Sequence, residues 1–586
     1  MDGDAKKACE KCISAIYADT EKPALMHFGF PGDGHMSAYY PDSPDISKEE
    51  IEQVEAFLGT KKLLPENTRL RKTKDGNYEV LIASGLSKPD SIPELTEAEV
   101  NEVSGKPAWD IDSGPLKGHR VSLIFGDHQE EMAKVAVNIK KAGQHAANDT
   151  QKKMMDFYSL SFSTGSLNTF KESQKLWVKD LGPTVESNIG FIETYRDPAG
   201  IRGEWEGFVA MVNKERTAAF QKLVAAAPAL IPKLPWASEF ELDEFTAPDF
   251  TSLEVLSFAS SGIPAGINIP NYDDIRQDLG FKNVSLGNVL SAKATNEPIP
   301  FIRPEDLKVY QENRDEAFEV QVGIHELLGH GTGKNLRETA PGVYNFNHAS
   351  PPIQPITGNP ITSYYKPNET YSSVFGPLAS TYEECRAECV AMALSCEFDI
   401  LKIFGFDTGK GEVDMSSKAG DVLYTSYLSM ARAGIMALEF WDPKSKKWGQ
   451  IHMQARYGIL KAFLFAGGGF CDLDYKPDDQ LDLTIKLDRS KILTHGRPAV
   501  EHILQLLHIF KCTADIEKAR AFYHDLTCVE GIFWTEKVRN HVLRKKTPRK
   551  VFVQANTVLG EGEKVELREY EATCEGMIRS WAERDV

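Results

Sequence analysis

Phe318-Glu-Val-Gln-Val-Gly-Ile-His-Glu-Leu-Leu-Gly-His330 is the stretch on which the reading turns. Apolar residues recur at helical spacing from Phe318 to Leu328, so the segment reads as a helix that carries two histidines. His325 and His330 bracket Glu326. That is how a helix offers a metal two imidazole ligands and a general base. With 14 histidines in the chain, about 0.03 such six-residue matches arise by chance. The spacing is one residue longer than His-Glu-x-x-His. At about 100° per residue, positions four apart lie ~40° apart around a helix, whereas positions five apart lie ~140° apart. Two ligands at that angle cannot share an ion on a regular helix. A single wider π turn absorbs the extra residue, and Gly329 sits where such a distortion is easiest. The sequence therefore predicts a bulged helix here.

A third ligand is needed. Thr381-Tyr-Glu-Glu-Cys-Arg-Ala-Glu388 places three carboxylates on one predicted helix. Glu384 and Glu388 are four apart and share a face. One can bind metal while another accepts the N–H of a ligand imidazole. The bland alternative is a solvated acidic face paired with Arg386. Cys385 and Cys389 are further candidates, although a carboxylate suits a hydrolytic zinc better.

The rest of the chain narrows the class. Its 586 residues carry 67 Lys+Arg and 85 Asp+Glu, so the net charge is 67 − 85 = −18. The length fits about four domains or one two-lobed enzyme. Hydrophobic residues at 41% permit a large core and exclude global disorder. The acidic balance argues against a nucleic-acid partner, whose phosphates need clustered Lys and Arg. No apolar run reaches the roughly 18 residues of a spanning helix, and Met1-Asp-Gly-Asp-Ala-Lys-Lys7 leads into no apolar signal core. No membrane association is expected. Nine cysteines are sparse and odd in number, which points to a reducing, cytoplasmic location. The lone Cys9/Cys12 pair lacks the second pair of a zinc knot. Asn148, Asn283 and Asn368 open Asn-x-Ser/Thr triplets, which such a location leaves unglycosylated. Gly331-Thr-Gly-Lys334 lacks the first glycine and the Ser/Thr of a phosphate loop.

Tyr78–Ile82 and Val121–Phe125 read as short strands, and 131–180 as helices. The stretch 225–250, rich in Ala, Pro and acidic residues, reads as a link or a crossing between lobes. Gly262, Pro264, Gly266 and Pro270 interrupt an apolar run, as in an irregular edge strand. From about 305 to 530 the pattern is mainly helical, with segments Phe318–Leu328, Glu383–Phe398, Val422–Phe440 and Ile451–Phe465. Val551–Gln554 reads as a strand. The class is α+β, with the chemistry in the helix-rich half.

The two motifs together resemble those of the dipeptidyl peptidase III family of zinc exopeptidases, His-Glu-x-x-Gly-His and Glu-Glu-Cys-Arg/Lys-Ala-Glu/Asp. Phe191-Ile-Glu-Thr-Tyr-Arg-Asp-Pro198, Gly203-Glu-Trp-Glu-Gly-Phe208, Gly262–Tyr272, Ala433–Phe440, His452-Met-Gln-Ala-Arg456 and Leu487-Asp-Arg-Ser-Lys491 also look like family segments, in the family's order. The likeness covers nearly the whole chain, although the family's usual chain is longer at its N-terminal end. It implies two lobes about a wide cleft. Residues 1–213 with 252–296 and 544–586 would form a β-barrel-containing substrate lobe. Residues 214–251 with 297–543 would form a mostly helical lobe holding one zinc ion.

By the same resemblance His325, His330 and Glu384 would bind the zinc and Glu326 would activate water. Glu383 and Glu388 would hydrogen-bond the ligand imidazoles. Tyr195 and His452 would assist the tetrahedral intermediate, where a donor must already be in place. Glu193, Asn268 and Asn271 would hold the substrate's free amine and backbone, and Arg544 and Lys545 its carboxyl end. Arg276 and Arg456 match the pattern with a less defined role. Taken alone, His452 would read as a core histidine and Tyr195 as a core or surface residue. The implied function is release of dipeptides from the unblocked N-terminus of short peptides by a monomeric enzyme, with cleft closure bringing Tyr195 toward the zinc. The longer N-terminal end of the family motivates a second reading, a catalytically weak peptide-binding protein of the same fold.

Overall fold

The computed structural model describes residues 29–88, 108–245, 248–260, 262–290, 292, 298–367, 369–407, 409, 411–476, 482–546 and 552–584. The Cys9/Cys12 pair and Asn368 lie outside them. The chain divides into two compact units. One comprises Met1–Asp180, Ile189–Glu206 and Asn271–Leu279; the other comprises Leu181–Asn188, Gly207–Pro270 and Gly280–Val586.

Among the described residues, the first α-helix of the first unit is α1 (Lys48–Thr60). It starts at Ser47, whose hydroxyl accepts from Glu50 N–H while the Glu50 carboxylate accepts from Ser47 N–H at 2.9 Å. That reciprocal cap satisfies two otherwise orphaned donors. Strands β1 (Thr68–Lys72), β2 (Tyr78–Ala83), β3 (Ala108–Asp110) and β4 (Arg120–Asp127) form a sheet in the order β1-β2-β4-β3. β2 and β4 run parallel, with Val80 opposite Leu123. Ile51, Val54 and Leu58 of α1 join Val80 and Leu123 in one apolar cluster. Helices α2 (Gln129–Ala142), α3 (Asp149–Thr164) and α4 (Leu167–Lys179) follow as the periodicity predicts.

Strands β5 (Val185–Glu193) and β6 (Glu204–Val212) precede helix α5 (Lys214–Leu230), and β7 (Asp249–Ala259), β8 (Gly266–Ile269) and β9 (Lys282–Leu286) come next. The five strands make a curled half-barrel sheet in the order β5-β6-β7-β9-β8. β8 lies at its edge, as the glycine and proline spacing predicts.

The second unit, which also contains α5, includes the helices α6 (Leu307–Ile324), α7 (Ala379–Leu394), α8 (Lys418–Met436), α9 (Ile451–Phe465), α10 (Arg497–Cys512) and α11 (Ile516–Thr527). Fourteen of the sixteen residues of α7 are buried, so it is the central helix rather than a surface one. It packs against α6, α9 and α10.

Two expectations are corrected. The stretch 225–250 does not link two units: it lies within the second unit, where Ala227, Leu230, Leu234, Phe240 and Phe250 are buried. The mainly helical reading of 305–530 holds, interrupted by short strands and turns among the described residues of 331–370 and by the hairpin of β10 (Cys471–Lys476) and β11 (Asp482–Leu487). Val551 lies outside the described residues and 552–554 form no strand; the strand begins at Asn556.

A buried charge network ties distant parts of the first unit together. Arg202 is fully buried. Its guanidinium donates to Glu55 and, at 3.3 Å, to the Tyr40 hydroxyl, which donates to Asp197 at 2.7 Å. Removing the cation leaves the part-buried Glu55 carboxylate without its guanidinium donor. Arg202→Met is therefore expected to lower unfolding stability by about 3–5 kcal/mol, read from urea denaturation.

Candidate metal centre

α6 does not end in an ordinary cap. It continues into a single π turn, His325–Gly329, in which His330 N–H reaches His325 O at 3.1 Å. The predicted bulge is present, and it brings the two imidazoles to a centroid separation of 4.8 Å. Gly329 has a further role. A Cβ there would meet the Ala387 Cβ at 2.8 Å, so the absence of a side chain lets the π turn lie directly on α7.

α7 brings the carboxylates. His325, His330 and Glu384 offer ligand atoms that all lie within 4.8 Å of one another. The Nε2 atoms of His325, His452 and His330 stand 3.2, 3.4 and 3.8 Å from Glu384 Oε2. That oxygen is buried and accepts no aligned hydrogen bond. Donor atoms that converge on a point without bonding one another are arranged around a place for a cation. Two imidazoles and a carboxylate suit a divalent first-row metal.

The other edge of each imidazole faces a second carboxylate. His330 Nδ1 lies 3.4 Å from Glu383 Oε1, and His325 Nδ1 lies 3.7 Å from Glu388 Oε2. Glu383 accepts from Arg386 and from Lys511. Glu388 accepts from Arg456 Nε at 2.9 Å and Gln321 Nε2 at 2.7 Å. The acidic face of α7 is thus interior, and Arg386 is fully buried.

Electrostatics divides these acids into two kinds. Burial raises the Glu383 carboxyl, but Arg386 and Lys511 overcome it and hold the group well below the usual range. Glu384 behaves likewise under His452 and His330, and Glu388 under Arg456 and His325. Glu326 moves the other way: burial raises it, and His325 and His330 only partly offset that. Charged neighbours therefore favour the ionised form of three of these acids, whereas burial favours the protonated form of Glu326. His325 is raised well above the usual imidazole range: burial opposes its charge, and Glu384 and Glu388 outweigh that. The pocket itself favours positive charge.

The profile of Peptidase family M49 matches residues 8–585. The chain belongs to that family. It is 45% identical over 581 residues to dipeptidyl peptidase 3 of Dictyostelium discoideum, spanning 98% of this chain and 78% of that protein. With the dipeptidyl peptidase 3 of Homo sapiens it shares 44% over 575 residues, spanning 96% and 74%. Dipeptidyl-peptidase III from Corallococcus sp. strain EGB shares the fold, with a TM-score of 0.57 at 17% identity, over 87% of this chain and 77% of that one. The chain is thus a metallopeptidase of the dipeptidyl peptidase III family. Among its described residues no helix is long and apolar enough to cross a membrane.

The remaining predicted residues fall in several places. β8 lies against the π turn: Asn268 Nδ2 donates to Asn283 and, at 3.3 Å, to Glu326 O. His452 is in the first turn of α9, with Nδ1 3.1 Å from Gln450 Nε2. Arg456 is committed to Glu388. In the first unit, Asn271 Nδ2 donates to Glu193 Oε2 at 3.2 Å. Tyr195, in the turn after β5, is 38% exposed. Arg276 is half-buried in the short helix Asp273–Asp278. Arg544 and Lys545 end the helix Arg539–Arg544, with the Lys545 ammonium 5.9 Å over the Phe301 ring.

Sequence reasoning missed Gln321, Lys511 and the contact made by Gly266. Gln321 stands four residues before His325, a spacing that could have flagged it. Lys511 carries no local signal. At Gly266 a Cβ would meet Glu326 Oε1 at 2.7 Å, so β8 packs against the carboxylate itself. Gly266→Ala is therefore expected to lower turnover by about 10–100-fold by displacing Glu326, with the far-ultraviolet circular dichroism unchanged.

Proposed function

We propose that the protein is a zinc-dependent exopeptidase that releases dipeptides from the free N-terminus of short peptides. The observation that carries this is the buried convergence of His325, His330 and Glu384, with Glu326 on the same π turn. In this reading His325 Nε2, His330 Nε2 and a Glu384 oxygen hold a single zinc ion. Zinc supplies Lewis acidity toward the scissile carbonyl and toward water.

The protein's own groups do the rest. Glu326, raised by burial, takes a proton from the attacking water and delivers it to the leaving amine. Its carboxylate cannot drift toward β8, because Gly266 closes that side. His452 Nε2, beside Glu384, and the Tyr195 hydroxyl are the donors assigned to the oxyanion. Glu193, held by Asn271, is assigned the cationic terminal amine, and Asn268 the substrate backbone. An amine anchor at a fixed place counts residues from the terminus, which distinguishes an exopeptidase from an endopeptidase. Arg544 and Lys545 are assigned the substrate's carboxyl end. Arg276 keeps a substrate-side assignment. Arg456 is better assigned to keeping Glu388 ionised, given its two contacts there. The free thiols of the described cysteines accord with a reducing, cytoplasmic location, and the enzyme is assigned as a monomer.

A free-amine pentapeptide and its N-acetylated copy, incubated with zinc-loaded protein, test the specificity. A dipeptide is expected from the first and nothing from the second, by mass spectrometry; cleavage of both removes the amine anchor. Glu326→Gln is expected to lower turnover by at least about 100-fold while zinc uptake is kept. Equal turnover would remove Glu326 as the base.

A further inference from the structure

Behind His330 a chain of contacts runs away from the metal-binding groups and ends on Lys511. His330 Nδ1 faces Glu383 Oε1 at 3.4 Å. Arg386 donates to both Glu383 oxygens, Nη2 to Oε1 at 2.6 Å and Nε to Oε2 at 3.0 Å. Lys511 Nζ donates to Oε2 at 2.6 Å. We propose that Lys511 is a positioning residue: it fixes Glu383, and through Glu383 the ring of His330, and so sets the affinity for zinc. The inference rests on the metal reading given above.

Charge balance alone does not call for this lysine. Arg386 already meets Glu383 with a bidentate fork, the strongest pairing a carboxylate can have. A second cation buried on the same carboxylate is costly to desolvate. What Lys511 adds is a second origin. Arg386 sits three residues along α7 from Glu383 and moves with it, whereas Lys511 comes from the end of α10. The lysine is itself held in place: its ammonium lies 4.9 Å over the Tyr371 ring, and its carbonyl accepts from the Tyr365 hydroxyl at 2.8 Å. Glu383 is thereby oriented from two helices.

The same construction recurs on the other imidazole. Glu388 of α7, which faces His325, accepts from Arg456 of α9 and from Gln321 of α6. Each ligand histidine thus has a carboxylate behind it, and each carboxylate has a donor from another helix. Carboxylates that orient ligand imidazoles govern metal affinity by about 10–100-fold, and the donor that orients the carboxylate inherits part of that control.

The test uses full-length protein stripped of metal and zinc alone as the probe, with affinity read by competition against a chromophoric chelator. Lys511→Met keeps the stem and removes the charge. It is expected to weaken zinc binding about tenfold or more, as is Glu383→Gln. Lys511→Arg, which can donate to the same oxygen, is expected to stay within about threefold of wild type. In the Glu383→Gln background Lys511→Met is expected to add nothing, the signature of action through that carboxylate. A purely structural lysine would lower the melting point of the metal-free protein without this pattern. Zinc binding by Lys511→Met within twofold of wild type, or an equal loss in the Glu383→Gln background, overturns the proposal. Should Lys511→Met fail to fold, Lys511→Gln carries the same comparison. Absence of zinc uptake by the wild type would bring down the metal reading itself, and this proposal with it.

Discussion

One extra residue in a helix governs the arrangement of the second unit. The π turn at His325–Gly329 rotates His330 onto the face of His325, and without it the imidazoles would diverge. A π turn is weaker than a regular helix and needs support. Arg386 supplies it, donating to Gly329 O from a fully buried position on α7. Gly329 allows the turn to come close enough for that bond. Thr332, which accepts from Arg386 and donates to Leu328 O at 2.6 Å, closes the turn on its far side.

Burial is the second constraint. Glu384 and Glu388 are held inside a helix whose other residues are mostly apolar. Buried anions are tolerated only when paired and hydrogen-bonded. Glu388 is partnered by Gln321 of α6 and Arg456 of α9, and the adjacent Glu383 by Arg386 of α7 and Lys511 of α10. The contacts of Gln321, Arg456 and Lys511 are also tethers between helices, so the centre and the core that houses it are one structure. Glu326 is the exception. It is buried, and the nearby imidazoles only partly offset the rise that burial causes, so its protonated form is favoured.

The edge strand β8 completes the wall. An edge strand keeps unpaired backbone groups, and here its glycine faces the Glu326 carboxylate while its asparagine holds the Glu326 carbonyl. A strand with larger residues at those positions could not come so close. The irregularity written into Gly262–Pro270 thus has a local purpose beyond interrupting a strand.

Much of this was legible in the amino-acid sequence. The five-residue interval between His325 and His330 demands a bulge on geometric grounds alone. The carboxylates of Thr381–Glu388, the long helical segments and the edge strand near Gly266 are likewise local patterns. The compact stretch 225–250 was misjudged because proline and alanine content says nothing of which neighbours cover it. Lys511 was not legible at all. It lies 128 residues from Glu383, in a helix whose pattern reads only as amphipathic. The sequence by itself determined which groups can bind a metal, since ligand type and spacing are properties of one or two helices. Which of the three carboxylates faces the metal-binding point, which stand behind the imidazoles and which cations keep them ionised were decided only by the tertiary structure. Burial and charge compensation depend on chains brought together from far apart, and no local pattern records them.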